Sequence, residues 1–182
     1  MPELLTAEAT RPGVRVLPGV YIATLRHFPT DTSAQAAVQA LGLPWPLPVG
    51  QLVGTDPWMA WRAPQEALVF GTQKAVLDGL FSALAPGKSE TAMAVELSDS
   101  LSTYELHGPN LDEWLAHLVD ASSIPREPGR ATRARMVDVA VFMLRLDPER
   151  LWLLADRGIA AYVTNWLTFT HEGAFGDQER TA

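Results

Sequence analysis

Five Pro-Gly or Gly-Pro pairs divide this chain, at Pro12-Gly13, Pro18-Gly19, Pro86-Gly87, Gly108-Pro109 and Pro128-Gly129. Proline fixes φ and removes a backbone donor. Glycine reaches conformations closed to other residues, so each pair interrupts a regular element. Pro29, Gly42, Pro44, Pro46, Pro48, Pro64 and Gly71 subdivide the chain further. What remains is a set of short segments whose apolar residues recur with period two or period 3.6, which confines the chain to short strands alternating with short helices.

The segment 14–28 is rich in Val, Ile, Leu and Tyr and predicts a strand pair or one long bent strand, with Pro18-Gly19 as turn or bulge. Asp31, Thr32 or Ser33 can cap a helix reaching Leu41, with Gly42 as its C′ residue. Pro44 to Gly50 must then run extended. There Trp45 is free either to dock on a partner or to tuck into its own domain. Strands are predicted over 58–63 and 67–70, followed by a helix carrying Ala75, Val76, Gly79, Leu80, Ala83 and Leu84 at helical spacing. Residues 91–98 and 102–107 alternate like a strand pair joined across Asp99-Ser100. Asn110 can cap a helix whose Leu111, Trp114, Leu115 and Leu118 make one apolar stripe. Two strands over 131–146, a turn at Asp147 to Arg150, a third strand over 151–155 and a helix from about Gly158 complete the pattern. That last helix places Ile159, Tyr162, Val163, Trp166 and Leu167 on one face.

The order reads β-α-β-β-α-β and then β-α-β-β-β-α. This predicts an α+β fold of two split-βαβ, ferredoxin-like subdomains with mainly antiparallel sheets. The expected layout is a disordered lead-in over 1–12 and a single domain over 13–172, with subdomains at about 13–98 and 99–172. A flexible tail is expected over 173–182.

Composition narrows the function. With 47% apolar and 19% charged residues, the chain of 182 has material for a real core. Six tryptophans are many for this length, and some are candidates for a partner surface. The net charge of −7 opposes binding to a phosphate backbone, so no nucleic-acid partner is expected. There is no cysteine, which excludes disulfides, thiolate metal sites and cysteine nucleophiles. Met1 to Pro12 lacks a basic stretch followed by an apolar one, and no apolar run approaches membrane-spanning length. The chain is therefore expected in the cytoplasm and off the membrane.

Chemical constellations are sparse. His27, His107, His117 and His171 show no metal-ligand spacing and read as solvated or structural. Ser98, Asp99, Ser100 and His107 include the residue types of a hydrolytic triad but lack a nucleophile elbow. Glycine-rich phosphate loops of the standard kinds are missing. Glu96, Asp99 and Glu105 are scattered on strands. Arg130, Arg133 and Arg135 form the one basic cluster. They read either as a solvated strand face or as a site for a carboxylate, a phosphate or an acidic partner. No catalytic, cofactor-binding or metal residue is assigned.

The stretch 95–109, Val-Glu-Leu-Ser-Asp-Ser-Leu-Ser-Thr-Tyr-Glu-Leu-His-Gly-Pro, with the helix over 111–118 behind it, resembles a family pattern. The pattern is the D-S-D…L-x-L-x-G-P segment of the glycine-cleavage T-protein and sarcosine oxidase family, above all of the gamma subunit of heterotetrameric sarcosine oxidase. Residues 54–61, Pro128-Gly129-Arg130 to Val139, and 151–167 are similar to further family segments in the same order. Two features depart from it: Leu118 to Ser122 replaces the usual G-C-P-L-D, and the cysteine ahead of the Gln-Thr strand is missing.

The resemblance implies an aminomethyltransferase-like fold and the role of a small, non-catalytic gamma subunit. The whole complex would oxidatively demethylate sarcosine or a related N-methyl or secondary amine. It implies alpha, beta and delta partner subunits holding FAD, FMN, NAD and tetrahydrofolate, the last taking the one-carbon unit. Two alternatives stay open. One is a stand-alone folate-binding or aminomethyltransferase-like protein, with Glu96 or Asp99 as its pterin carboxylate. The other is an interaction module of a different complex.

Overall fold

The computed structural model describes residues 13–179. The expected lead-in over 1–12 and the last three residues of the expected tail lie outside that range. Ten strands form two five-stranded sheets, each covered on its outer face by helices.

The first sheet has the order β3-β4-β5-β2-β6. Its strands are β2 (Tyr21–His27), β3 (Leu52–Gly54), β4 (Trp58–Ala63), β5 (Glu66–Gly71) and β6 (Ala92–Glu96). All neighbours are antiparallel, so β2 runs parallel to β4 with β5 between them, and β5 parallel to β6 with β2 between. The crossovers are α1 (Thr32–Ala40) and α2 (Lys74–Ala83). These are two interlocked split-βαβ units, as the alternation of periods predicts.

The second sheet has the order β1-β7-β10-β9-β8. It contains β1 (Gly13–Val16), β7 (Leu101–His107), β8 (Arg130–Met136), β9 (Val139–Asp147) and β10 (Arg150–Asp156). Helix α3 (Leu111–Ala116) follows β7, and α4 (Ala160–Glu179) follows β10 and rests on β1 and β10. A ferredoxin-like unit needs a fourth strand beside β7 after its last helix. Here β1, from the other end of the described chain, fills that place and pairs antiparallel with β7.

Four sequence expectations change accordingly. The 14–28 segment is not a hairpin or one bent strand. Its halves belong to different sheets, and Gly19 at φ +76° turns the chain between them. Residues 91–98 and 102–107 do not pair either, since β6 joins β2 while β7 joins β1 and β10. Asp99-Ser100 is the crossing point between the sheets. The first subdomain therefore excludes β1, which sits with the second. The last helix also continues past position 172 to Glu179.

Local chemistry explains the elements. Asp31 caps α1 by accepting from Ala34 N at 2.7 Å, and Gly42 closes the helix at φ +73°. Asp31 also accepts from the hydroxyls of Ser89 and Thr91, tying α1 to the start of β6. These bonds, that of Thr91 foremost, hold its carboxyl below the usual carboxylate range. The stripe Leu111, Trp114, Leu115 and Leu118 is fully inside, packed with Val163 and Leu167 of α4 against the second sheet. Each such side chain contributes about 1.5–3 kcal/mol on burial.

A matching core lies between the first sheet and α1 and α2, around Leu25, Val38, Met59, Val69 and Leu77. The third core joins the sheets face to face through Ile22, Leu68, Phe70, Phe142, Leu144 and Trp152. The layers therefore run helix, sheet, sheet, helix. No helix among the described residues is long and apolar enough to cross a membrane.

Candidate functional site

Where the two sheets splay apart, they leave a cleft of about 700 Å³, in the range that takes a small organic molecule. Its walls come from both sheets. The end of β1 and the connector to β2 supply Arg15 to Pro18 and Val20, the β3–β4 turn with its flanking residues supplies Gly54 to Asp56 and Trp58, and the rest of the second sheet supplies Glu105, Leu146, Arg150 and Trp152.

Trp58 stacks on Phe70 at 5.6 Å and meets Trp152 edge-on at 5.1 Å, so an aromatic group spans the sheets at the cleft wall. Aromatic pairs in these geometries are worth about 0.5–1.5 kcal/mol beyond their buried area. Glu105 lies at the cleft wall, buried, with both oxygens engaged. Trp152 Nε1 donates to one at 3.0 Å and Arg15 donates to the other at 2.6 Å. Because Arg15 lies on β1 and Glu105 on β7, this ion pair also fastens β1 into its sheet. Arg150 is at the mouth, held by Asp147 at 2.9 Å.

The opposite rim is a tight loop. Asp56 has φ +104° and is followed by a cis Asp56–Pro57 peptide. Its carboxylate accepts from Thr72 N at 2.9 Å and from the Thr72 hydroxyl. Two glycines make room for the loop. A Cβ on Gly71 would lie 2.8 Å from Asp56 Oδ1, and one on Gly54 would lie 2.3 Å from the Pro57 carbonyl oxygen.

The cleft is thus apolar and aromatic on its walls, with one carboxylate inside and two guanidiniums near the opening. Among the described residues its lining holds no histidine, lysine, serine or tyrosine. Such a surface favours binding a flat, partly polar molecule over moving protons.

Residues singled out from sequence fall mostly elsewhere. Glu96 and Asp99 are exposed and do not line the cleft, so the carboxylates available there are Glu105 and Asp56. Ser98 is bound to Ile22 N and to Glu96, and His107 lies at the far end of β7 from Ser100, so no triad forms. The four histidines do not converge. His27 packs edge-on against Trp45 at 4.5 Å, and His171 against Trp114 at 5.1 Å, and no metal-holding cluster occurs among the described residues.

Arg133 and Arg135 are exposed on an edge strand, while Arg130 bridges to Gln51. Trp45 packs against the core of the first sheet, and none of the six tryptophans belongs to the exposed class. The cleft was missed because its residues are scattered along the chain. The single local signal was the Gly54-Thr55-Asp56-Pro57-Trp58 run.

No family model matches the sequence, and no curated protein matches it. Solved structures do. A chain of the heterotetrameric sarcosine oxidase from Corynebacterium sp. U-96, in complex with pyrrole 2-carboxylate, superposes with a TM-score of 0.79 and 25% identity. The match covers 88% of this chain and 83% of that one, so the two are nearly equal in length. The glycine cleavage system aminomethyltransferase T from Bartonella henselae matches with a TM-score of 0.61 and 15% identity, over 85% of this chain and 45% of that one. This chain therefore spans just under half the T-protein. The double-sheet architecture and these superpositions together identify a sarcosine oxidase gamma-like, aminomethyltransferase-like fold.

Proposed function

We propose that this chain is the small, non-catalytic subunit of a cytoplasmic, heterotetrameric flavoenzyme that oxidatively demethylates sarcosine or a related N-methyl or secondary amine. The observation that carries this reading is the superposition on a sarcosine oxidase chain over nearly the full length of both. In this reading the alpha, beta and delta subunits hold FAD, FMN, NAD and tetrahydrofolate, and the one-carbon unit passes to the folate.

Co-expression with the alpha, beta and delta chains of a sarcosine oxidase, followed by size-exclusion chromatography with a flavin absorbance trace, tests the proposal. Elution with the yellow fraction supports it, and sarcosine turnover should then depend on this chain. Elution as a colourless species apart from the flavin-bearing chains defeats it.

A second reading is favoured by the cleft itself. A stand-alone folate-binding or aminomethyltransferase-like protein would use the aromatic wall of Trp58 and Trp152 and the Glu105 carboxylate. Tetrahydrofolate titration followed by tryptophan fluorescence decides it, because both indoles line the cleft. A flat titration removes this reading.

A further inference from the structure

The two sheets have four edge strands, and three of them are protected. Edge strand β3 is only three residues long, and Leu52 N already donates to Gly129 O at 2.8 Å. Edge strand β1 has four residues, one of them Arg15. Edge strand β8 carries Arg130, Arg133 and Arg135. Short length and cationic side chains are the usual defences of a sheet edge against stray pairing. The fourth edge, β6, has the sequence Ala-Met-Ala-Val-Glu, carries no cationic side chain, and has its one charge at the terminal Glu96.

Its hydrogen-bond phase follows from its partner. Phe28 N donates to Thr91 O and Leu97 N donates to Ile22 O, so residues 91, 93, 95 and 97 bond inward to β2. Residues 92, 94 and 96 then point their backbone groups outward. Ser89 Oγ accepts from Ala92 N at 2.9 Å. Among the described residues, the outward N–H and C=O of Ala94, the C=O of Ala92 and the N–H of Glu96 receive no partner. Beside this open ladder, Met93 and Val95 are 49% and 40% exposed, and Phe28 is 54% exposed at its end. One face of the edge is therefore apolar as well as unpaired.

Charge says what fits there. Exposed Glu90 and Glu96 stand at the two ends of β6, and Lys74 nearby is committed to Asp78. In an antiparallel pairing of two copies centred on Ala94, each Glu96 would sit diagonal to the other copy's Glu90. Like charges in that relation repel, and each copy already carries −7. We propose that β6 is a docking edge for an extended strand of a different protein chain, one with apolar residues at alternate positions and basic residues at both ends. The partner adds a sixth strand to the first sheet by backbone pairing. The observations are independent of the cleft and of the enzyme reading.

The probe is an acetylated seven-residue peptide of alternating valine and threonine with lysine at each end, set against the same peptide with glutamate ends. Amide hydrogen exchange of the full chain reports on the edge. The lysine-ended peptide should bind saturably and slow exchange at Ala94 and Glu96 by more than about tenfold. The glutamate-ended peptide should bind about tenfold more weakly at low salt.

Ala94→Pro removes an outward N–H while leaving every inward bond of β6 in place, so its melting temperature should stay close to that of the parent while peptide binding is lost. Unchanged exchange at Ala94 and Glu96 under saturating lysine-ended peptide overturns the proposal. So does binding that survives Ala94→Pro. A concentration-dependent dimer abolished by Ala94→Pro also overturns it, by assigning the edge to a second copy.

Discussion

Asp31→Ala should destabilise the chain by about 2–4 kcal/mol at neutral pH. Three interactions make up that figure. The N-cap bond to Ala34 N is worth about 1 kcal/mol, within a range of 0.5–2. Hydrogen bonds from Ser89 and Thr91 to an ionised acceptor are worth about 1.5–3 kcal/mol each when sheltered. Ser89 and Thr91 lie near the surface, so water recovers a good part of that after truncation. For a chain of 182 residues, each kcal/mol moves the melting temperature by about 2–4 °C, so the midpoint should fall by roughly 4–16 °C.

The pH dependence supplies a second check. The folded-state pKa of Asp31 is depressed, so its stabilisation is complete above the unfolded value near 3.8 and is lost as pH falls below it through the folded value. Urea unfolding followed by circular dichroism from pH 7 down to pH 2.5 measures both quantities. The gap between parent and variant should be flat above about pH 5 and narrow below about pH 4. A gap under 0.5 kcal/mol at pH 7, or one that does not narrow in acid, refutes the assignment of Asp31 as the ionised tie between α1 and β6.

Four further outcomes can be measured by unfolding. Arg145 is buried, pairs with Asp112 and donates to Pro125 O at 2.8 Å, and burial pushes its pKa down. Asp112→Ala strands that charge and should cost about 3 kcal/mol in urea unfolding, towards the lower end for a broken buried pair because Asp112 is itself one-third exposed. Gly54→Ala should cost about 2–4 kcal/mol, since the new Cβ meets Pro57 O at 2.3 Å and Leu43 Cδ2 at 2.5 Å at φ +86°. By contrast, Gly79→Ala, inside α2 with open space around it, should raise stability by about 0.5–1 kcal/mol in a thermal melt. Trp152→Phe keeps a ring in the wall but leaves one Glu105 oxygen without its donor, and should cost about 1–3 kcal/mol in urea unfolding.

Local features of the fold were legible in the sequence, and long-range pairings were not. The Asp31 cap, the Gly42 stop, the Leu111-to-Leu118 stripe and the Asp147-to-Arg150 turn each depend on residues within one or two turns of chain. Their chemistry is written in adjacent positions. The misread pairs, β1 with β2 and β6 with β7, were neighbours in sequence that looked like hairpins. Nothing in a strand's own residues says which sheet it will join, because Gly19 and Asp99-Ser100 serve a crossover as readily as a hairpin. The cleft suffered most from this. Glu105 is an ordinary strand carboxylate until Arg15 and Trp152, 90 and 47 positions away, close on it. Glu96 and Asp99, in the more conspicuous motif, face solvent.

The placement of β1 bears on the order in which this protein can be made. Among the described strands β1 leaves the ribosome before the others, yet its partner β7 follows only after the whole first sheet has been synthesised. A nascent first sheet can fold from β2 through β6 without β1, since none of its pairings involves that strand. Once formed, it holds the two ends of the long excursion between β1 and β7 close together, so the loop closed by the Arg15–Glu105 contact is short in effect. The second sheet is then assembled last, from the beginning and the end of the described chain. Removing β1 should therefore loosen the β7–β10 sheet first, because no pairing within β2–β6 involves that strand.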